Sequence, residues 1–348
     1  PLALHSPPLS LGRLFGRLGL GLFGLVLAQA DLNAVADHVG RLGWAGAIGI
    51  PAVSLLPFLA DTLSWQIVFT PPRPGWGWFT ALWKVRMVGA AIGKVTPVVG
   101  LAGEPVKAVM LKRIYGVPNR EAVASLIVAK TANLISFVAF VAIGMVVALA
   151  NGRLPESYRL VAAVGFAVLA FGIAIFFAVQ RLRILSALGT WLSRGRLGRR
   201  ISLILHHLSD MDDRLEHAYT GDRGRFLAST VMAFLYWALG AVELYLIFWL
   251  LGQPVAVSDA IAIAGIVELV RAGTFFIPAS IGAEEATLAV IVTSITGAAG
   301  LGLAVAFVRR YRELLWIGVG FLIAWRITGR SRQMIGTLLR ANKDERSS

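Results

Sequence analysis

The sequence predicts an all-α polytopic membrane protein, with about six transmembrane helices plus two re-entrant broken-helix hairpins in an inverted repeat. Three observations predict it. Apolar residues fill 57% of the 348 positions and charged residues only 15%, with a mean hydropathy of +0.73. Soluble chains average roughly 45–50% apolar. Six runs reach the roughly 20 apolar residues that crossing about 30 Å of hydrocarbon requires. Two more apolar stretches are interrupted near their middles by Gly, Pro and charge, which a helix facing lipid does not tolerate.

In chain order the spans are 11–30, 42–68, 122–150, 160–179, 226–251 and 303–325, and the interrupted stretches are 78–114 and 258–297. Residues 32–40 form a short amphipathic segment outside the membrane. Residues 184–220 carry Leu197, Ile201, Ile204, Leu205 and Leu208 at helical spacing among Arg199, Arg200, Asp210, Asp212 and Asp213. That pattern fits a helix lying on the inner leaflet. Trp65, Trp76, Trp78, Trp83 and Trp325 read as interfacial anchors. The whole chain, 1–348, is one membrane domain, with a first repeat at 11–150 and a second at 160–326.

The basic residues set the orientation. A formal charge of +14 would point to nucleic acid in a soluble chain. Here the Lys and Arg cluster between apolar runs, so no nucleic-acid partner is expected. Nine arginines lie from Arg181 to Arg225, six basic residues from Arg326 onward and three from Arg73 to Arg86. Cytoplasmic connections carry this excess, which places both termini in the cytoplasm. The first hairpin then enters from the cytoplasm and the second from outside. An offset of 181 residues places Pro97 on Pro278, Glu104 on Glu285, Ala108 on Ala289 and Val109 on Val290, with Lys130 falling one residue from Arg310. Inverted repeats with discontinuous helices are a transporter architecture whose site lies where the repeats meet.

Charges inside these segments are the candidate site. A charge at the bilayer centre costs at least about 2.5–3.5 kcal/mol, so each must face another charge, water or a polar ligand. The helix breaks are Pro97, Gly100 and Gly103 in "TPVVGLAGEPVKAVMLK", and Pro278 and Gly282 in "FIPASIGAEEATLAV". The substrate-binding candidates are Glu104, Lys107, Lys130, Glu268, Arg271, Glu284, Glu285, Arg309, Arg310, Arg312 and Glu313. Of the adjacent glutamates, Glu284 is expected to cap the second half-helix, worth about 0.3–1 kcal/mol, while Glu285 faces the cavity. In "FVRRYREL" (307–314), Arg309, Arg312 and Glu313 share a face and Arg310 points aside. Three placements are open for this cluster. Its guanidinium forks fit an anionic headgroup, it pairs internally with Glu268, Glu284 or Glu285, or it lies at the surface. Glu243 is a lone acid in a span, equally suited to a structural hydrogen bond or a functional role.

Cysteine is absent and the five histidines are not in ligand spacing, so no metal and no cofactor are expected. No nucleotide-binding motif, nucleophile or positioned His base supports an enzyme.

On "TPVVGLAGEPVKAVMLKR", "FFIPASIGAEEATLAVIVTSITG" and "AVAFVRRYRELLWIGVGFLIAW", the chain resembles the lysylphosphatidylglycerol synthase transmembrane (flippase-like) family over nearly its whole length. Within it, the hopanoid-biosynthesis-associated subgroup is the most similar. The resemblance implies lipid handling, with the family's Gly-Glu on Gly103 and Glu104, its second-hairpin Pro, Gly and Glu on Pro278, Gly282 and Glu285, and its basic motif on Arg309, Arg310, Arg312 and Glu313. The chain ends at Ser348 after a basic tail, without the soluble domain of the full synthases, so synthase activity is not expected. The first reading is therefore a lipid translocase acting on a hopanoid or an anionic or aminoacylated phospholipid. The alternatives are a membrane enzyme modifying lipid headgroups and a scaffold for other lipid-biosynthesis enzymes. Oligomeric state is not legible.

Overall fold

The structure, a computed structural model, describes residues 20–28, 32–95, 103–152, 163–167, 171, 222–298 and 300–344, with side chains through 327. The described helices are α1 (Leu20–Ala28), α2 (Leu32–Gly40), α3 (Gly43–Val53), α4 (Leu55–Ile67), α5 (Trp76–Val95), α6 (Gly103–Tyr115), α7 (Asn119–Ala150), α8 (Arg223–Leu250), α9 (Val257–Gly273), α10 (Ala283–Thr296) and α11 (Leu301–Asp344). No strand occurs among the described residues. The protein is an all-α polytopic membrane protein.

Among the described residues four stretches are long and apolar enough to span: Gly43–Ile67, Asn119–Ala150, Arg223–Leu250 and Pro278–Thr296. The first three coincide with expected spans. α1 and α2 add a fifth only if counted together as one bent span. The expected span at 303–325 is helical throughout, inside α11, but Arg309, Arg310, Arg312 and Glu313 deprive it of an uncharged core. Pro278–Thr296 belongs to the expected second hairpin. Its α-helical part, α10, has 14 residues, about 21 Å of length, which falls short of the hydrocarbon thickness. The expected span at 160–179 lies mostly outside the described residues, as do the segment at 184–220 and the breaks at Pro97 and Gly100.

Helix boundaries follow the 181-residue offset. It carries Trp76, where α5 begins, onto Val257, where α9 begins. Gly103 of α6 lands on Glu284, one residue into α10, and Asn119 of α7 lands on Gly300, one residue before α11. The kinked α3–α4 span lands on α8 within two residues at each end.

Packing relies on small residues, as expected where lipid supplies no hydrophobic drive between helices. α7 and α9 approach so closely at Gly144 and Gly265 that a Cβ on Gly144 would lie 2.8 Å from the Gly265 Cα. α5 and α6 touch through Gly89 and Gly103, and α11 meets α5 where Gly320 faces Ala91 and Met87. The α3–α4 kink is tied to α11: Ser54 donates to the Pro51 carbonyl (2.7 Å) and accepts from Trp316 Nε1 (2.7 Å). The exposed side chains of α8, including Leu227, Val231, Val242 and Trp249, form one apolar stripe, the surface lipid covers at no cost. Glu243 lies on the opposite face, 1% exposed.

The tryptophans divide. Trp76 and Trp325 are exposed, as anchors are, but Trp65 is buried in the α4–α7 core and donates to Ser125 Oγ (3.1 Å). Trp78 packs edge-on against Phe69 and Tyr115 beneath the Arg73 guanidinium. Their anchoring role is corrected to core packing, because a tryptophan without a neighbouring apolar surface and one with it look alike in sequence.

Candidate functional site

The break between α9 and α10 places the second charged cluster. Ala279 and Ser280 both have φ of 50° and Gly282 has 85°, so two L-residues occupy the left-handed region at a cost of roughly 1–2 kcal/mol each. Arg310 braces this turn, donating from Nη1 to the Ala279 carbonyl (3.2 Å). Thr274 Oγ1 ties the turn to Ser280 Oγ (3.2 Å).

From the turn outward, charges interlock. The Arg309 Nε donates to Glu284 (2.7 Å), and its Nη2 lies 3.5 Å from Glu268. Arg271 lies 3.6 Å from Glu268 and 3.8 Å from Glu284. Arg310 binds Glu285 (2.6 Å) and Glu313 (2.6 Å). Arg312 Nη1 donates to both oxygens of Glu243 (2.5 and 2.6 Å), and Lys94 of α5 pairs with Glu313. Five acids thus face five bases, and Glu284, Glu285, Glu243, Arg309 and Glu313 are all buried. The mutual neutralisation answers the cost of each charge. Of the three open placements for "FVRRYREL", the internal one is observed.

Two expectations about this cluster are corrected. Glu285, not Glu284, caps α10: it sits at the third helical position and its carboxylate accepts the Gly282 N–H (2.7 Å), as the N3 acid of a capping box does. Glu284, one position earlier and so about 100° around the helix, faces Arg309 and Arg271. Arg310 does not point aside, since α11 presents it to the break.

A cavity of about 170 Å³ opens beside this cluster, lined by the charged Lys94, Glu268, Arg271, Arg309, Arg312 and Glu313 and by the aromatic Phe58, Tyr236, Trp237 and Trp316. A water takes about 30 Å³ of liquid, so the space suits a few waters or one small polar group.

The first cluster gathers Asp61, Arg86, Glu104, Lys107 and Lys130. Glu104 accepts from Lys107 (2.9 Å) and lies 3.0 Å from Lys130. Arg86 pairs with Asp61, which Asn133 also reaches at 3.4 Å. Arg86 lies over the rings of Phe58 and Tyr236, and both rings also wall the polar cavity. The clusters are therefore neighbours separated by an aromatic layer rather than one continuous chamber. Gly103 supplies the close α5–α6 approach that brings Glu104 in, since a Cβ there would meet the Gly89 carbonyl at 2.5 Å.

The offset that aligns the helices also aligns an ion pair. Glu104 maps onto Glu285 and Lys130 onto the neighbour of Arg310, and both pairs form: Lys130 to Glu104 at 3.0 Å, Arg310 to Glu285 at 2.6 Å.

Asp61, Arg86 and Lys94 were missed in the sequence. Asp61 carried the same signal as Glu243, an acid inside an apolar span. Arg86 was counted with the basic connection from Arg73, but it lies ten residues into α5 and is buried.

The family described as the lysylphosphatidylglycerol synthase TM region matches residues 11–320. Comparison with curated proteins and with solved structures yields no match.

Proposed function

Because the chain belongs to the lysylphosphatidylglycerol synthase TM region family, a membrane family associated with lipid handling, we propose that it is a lipid translocase that carries a membrane lipid between leaflets without altering it chemically. The observation that carries this reading is the polar cavity walled by Glu268, Arg271, Arg309 and Arg312 within a bundle of largely apolar helices. Guanidinium groups there offer phosphate-binding forks once their carboxylate partners release them. A headgroup with both an anionic and a cationic or hydroxyl group is suited to exchange with a neutral network, replacing one internal pair at a time. In this proposal the two halves are inverted copies in a bacterial inner membrane, with both termini cytoplasmic, and the cavity opens to one leaflet and then the other as one half rocks against its counterpart.

The test reconstitutes the purified full chain in liposomes holding a labelled anionic phospholipid or a labelled hopanoid. Transbilayer movement of unchanged lipid is expected. Glu268→Gln should slow it roughly tenfold while leaving the thermal unfolding midpoint near that of the parent, because Glu268 makes only the long contacts at 3.5 and 3.6 Å. A modified lipid recovered from the vesicles would favour the enzyme reading, and no movement and no modification would favour a scaffold.

A further inference from the structure

An apolar groove of about 910 Å³ runs along α6 and α7, and Glu104 and Lys130 are its only charged lining residues. That volume is at the upper end for ligand sites, roughly 300–1,000 Å³. We propose that this groove seats one acyl chain of an anionic phospholipid whose phosphate rests on Lys130. The proposal rests on the lipid-handling reading and names the lipid class and its docking place.

Charge complementarity identifies the occupant. Among the described residues the first cluster holds two carboxylates against three cations: Asp61 is taken by Arg86, and Glu104 is shared between Lys107 and Lys130. One positive charge is left over, and Lys130 exposes it, with 60% of its side chain accessible. The sequence sets its depth. Residues 131–150, which follow Lys130 directly, are twenty positions without a charge, about 30 Å of helix, equal to the hydrocarbon core. Lys130 thus stands at the level where phosphates lie, and its ammonium is a compact phosphate-binding charge.

Below Lys130 the groove continues along Leu134 and Phe137 to Trp237. Phe137 and Trp237 are in ring contact, with centroids 5.0 Å apart. Trp237 also walls the polar cavity, and its buried Nε1 has no partner among the described residues. The groove therefore ends at the aromatic layer bordering the proposed translocation chamber.

The experiment uses the full chain in phosphatidylcholine vesicles doped with phosphatidylglycerol bearing a diazirine on its acyl chain, followed by irradiation and peptide mapping. Labels are expected on Leu134 and Phe137 of α7 and on Trp237 of α8, displaced by excess phosphatidylglycerol but not by phosphatidylcholine or inorganic phosphate. Lys130→Gln should cut labelling about tenfold and Lys130→Arg should restore it. Leu134→Trp, which fills the groove below Lys130 without touching charge, should block it. Equal labelling by a phosphatidylcholine probe, or labelling indifferent to Lys130→Gln in a protein with an unchanged unfolding midpoint, overturns the proposal, as does mapping to another face. Labelling here without lipid movement would leave this site standing while the translocase reading falls, and movement with no label in the groove would do the reverse.

Discussion

Glu284 and Glu285 are adjacent, yet Glu285 holds the helix start and Glu284 faces three arginines. Helical geometry decides between them: the side chain at N3 reaches back to the N-cap N–H, and the one at N2 cannot. With Gly282 at the N-cap there is no Ser or Thr to mark the box, so only half of its signature stood in the sequence. The same logic gives Lys94 its weight. Its pairing with Glu313 joins α5 to α11, and Glu313 is held from the other side by Arg310. A double-mutant cycle on Lys94→Met and Glu313→Gln should yield a coupling of about 1–3 kcal/mol, read from unfolding midpoints in detergent. Glu313→Gln alone should be the more damaging single change, because it leaves Lys94 without its carboxylate and takes one of the two that hold Arg310, whereas in Lys94→Met Glu313 keeps Arg310. Additive effects would mean that the pair contributes nothing beyond its members.

The elements were more legible than the side chains they carry. Periodicity and length placed the helices of three spans within a few residues, and the offset read from Pro97, Glu104 and Ala108 also relates the starts of α5, α6 and α7 to those of α9, α10 and α11 within one residue. What sequence could not supply was which charges meet, because an ion pair between α5 and α11 depends on a close approach set by small residues far away in the chain. At the break, Pro278 and Gly282 announced a turn, but the left-handed residues proved to be Ala279 and Ser280. Ala279→Gly should therefore stabilise the fold by about 1 kcal/mol, whereas Ala279→Val should destabilise it, as thermal unfolding would reveal. Equal midpoints for the two variants would show that the turn is not under backbone strain. Where α7 crosses α9, Gly144→Leu should cost about 1–3 kcal/mol or more through overpacking, and Gly144→Ala less. A Leu variant as stable as the parent would mean that this contact is dispensable.

At the scale of the molecule, a neutral internal network is stable as it stands and binds nothing unless its partners separate, so the proposed translocation calls for α5 to move against α11. The absence of cysteine makes that motion directly testable. Gly320 faces Ala91 so closely that a Cβ on it would sit 2.6 Å from the Ala91 methyl, and a relaxation of about 1 Å brings that pair to the roughly 3.8 Å between Cβ atoms of a disulfide. Ala91→Cys with Gly320→Cys should form a cross-link under oxidation, stop lipid movement in liposomes, and regain it on reduction. Each single variant should be indifferent to oxidant. The groove would remain assembled in the cross-linked protein, so diazirine-phosphatidylglycerol labelling below Lys130 should persist while transport is lost. Undiminished transport by the cross-linked protein would show that the α5–α11 seam stays shut throughout the cycle, and the moving boundary would then have to lie along α7 and α9, where Gly144 meets Gly265.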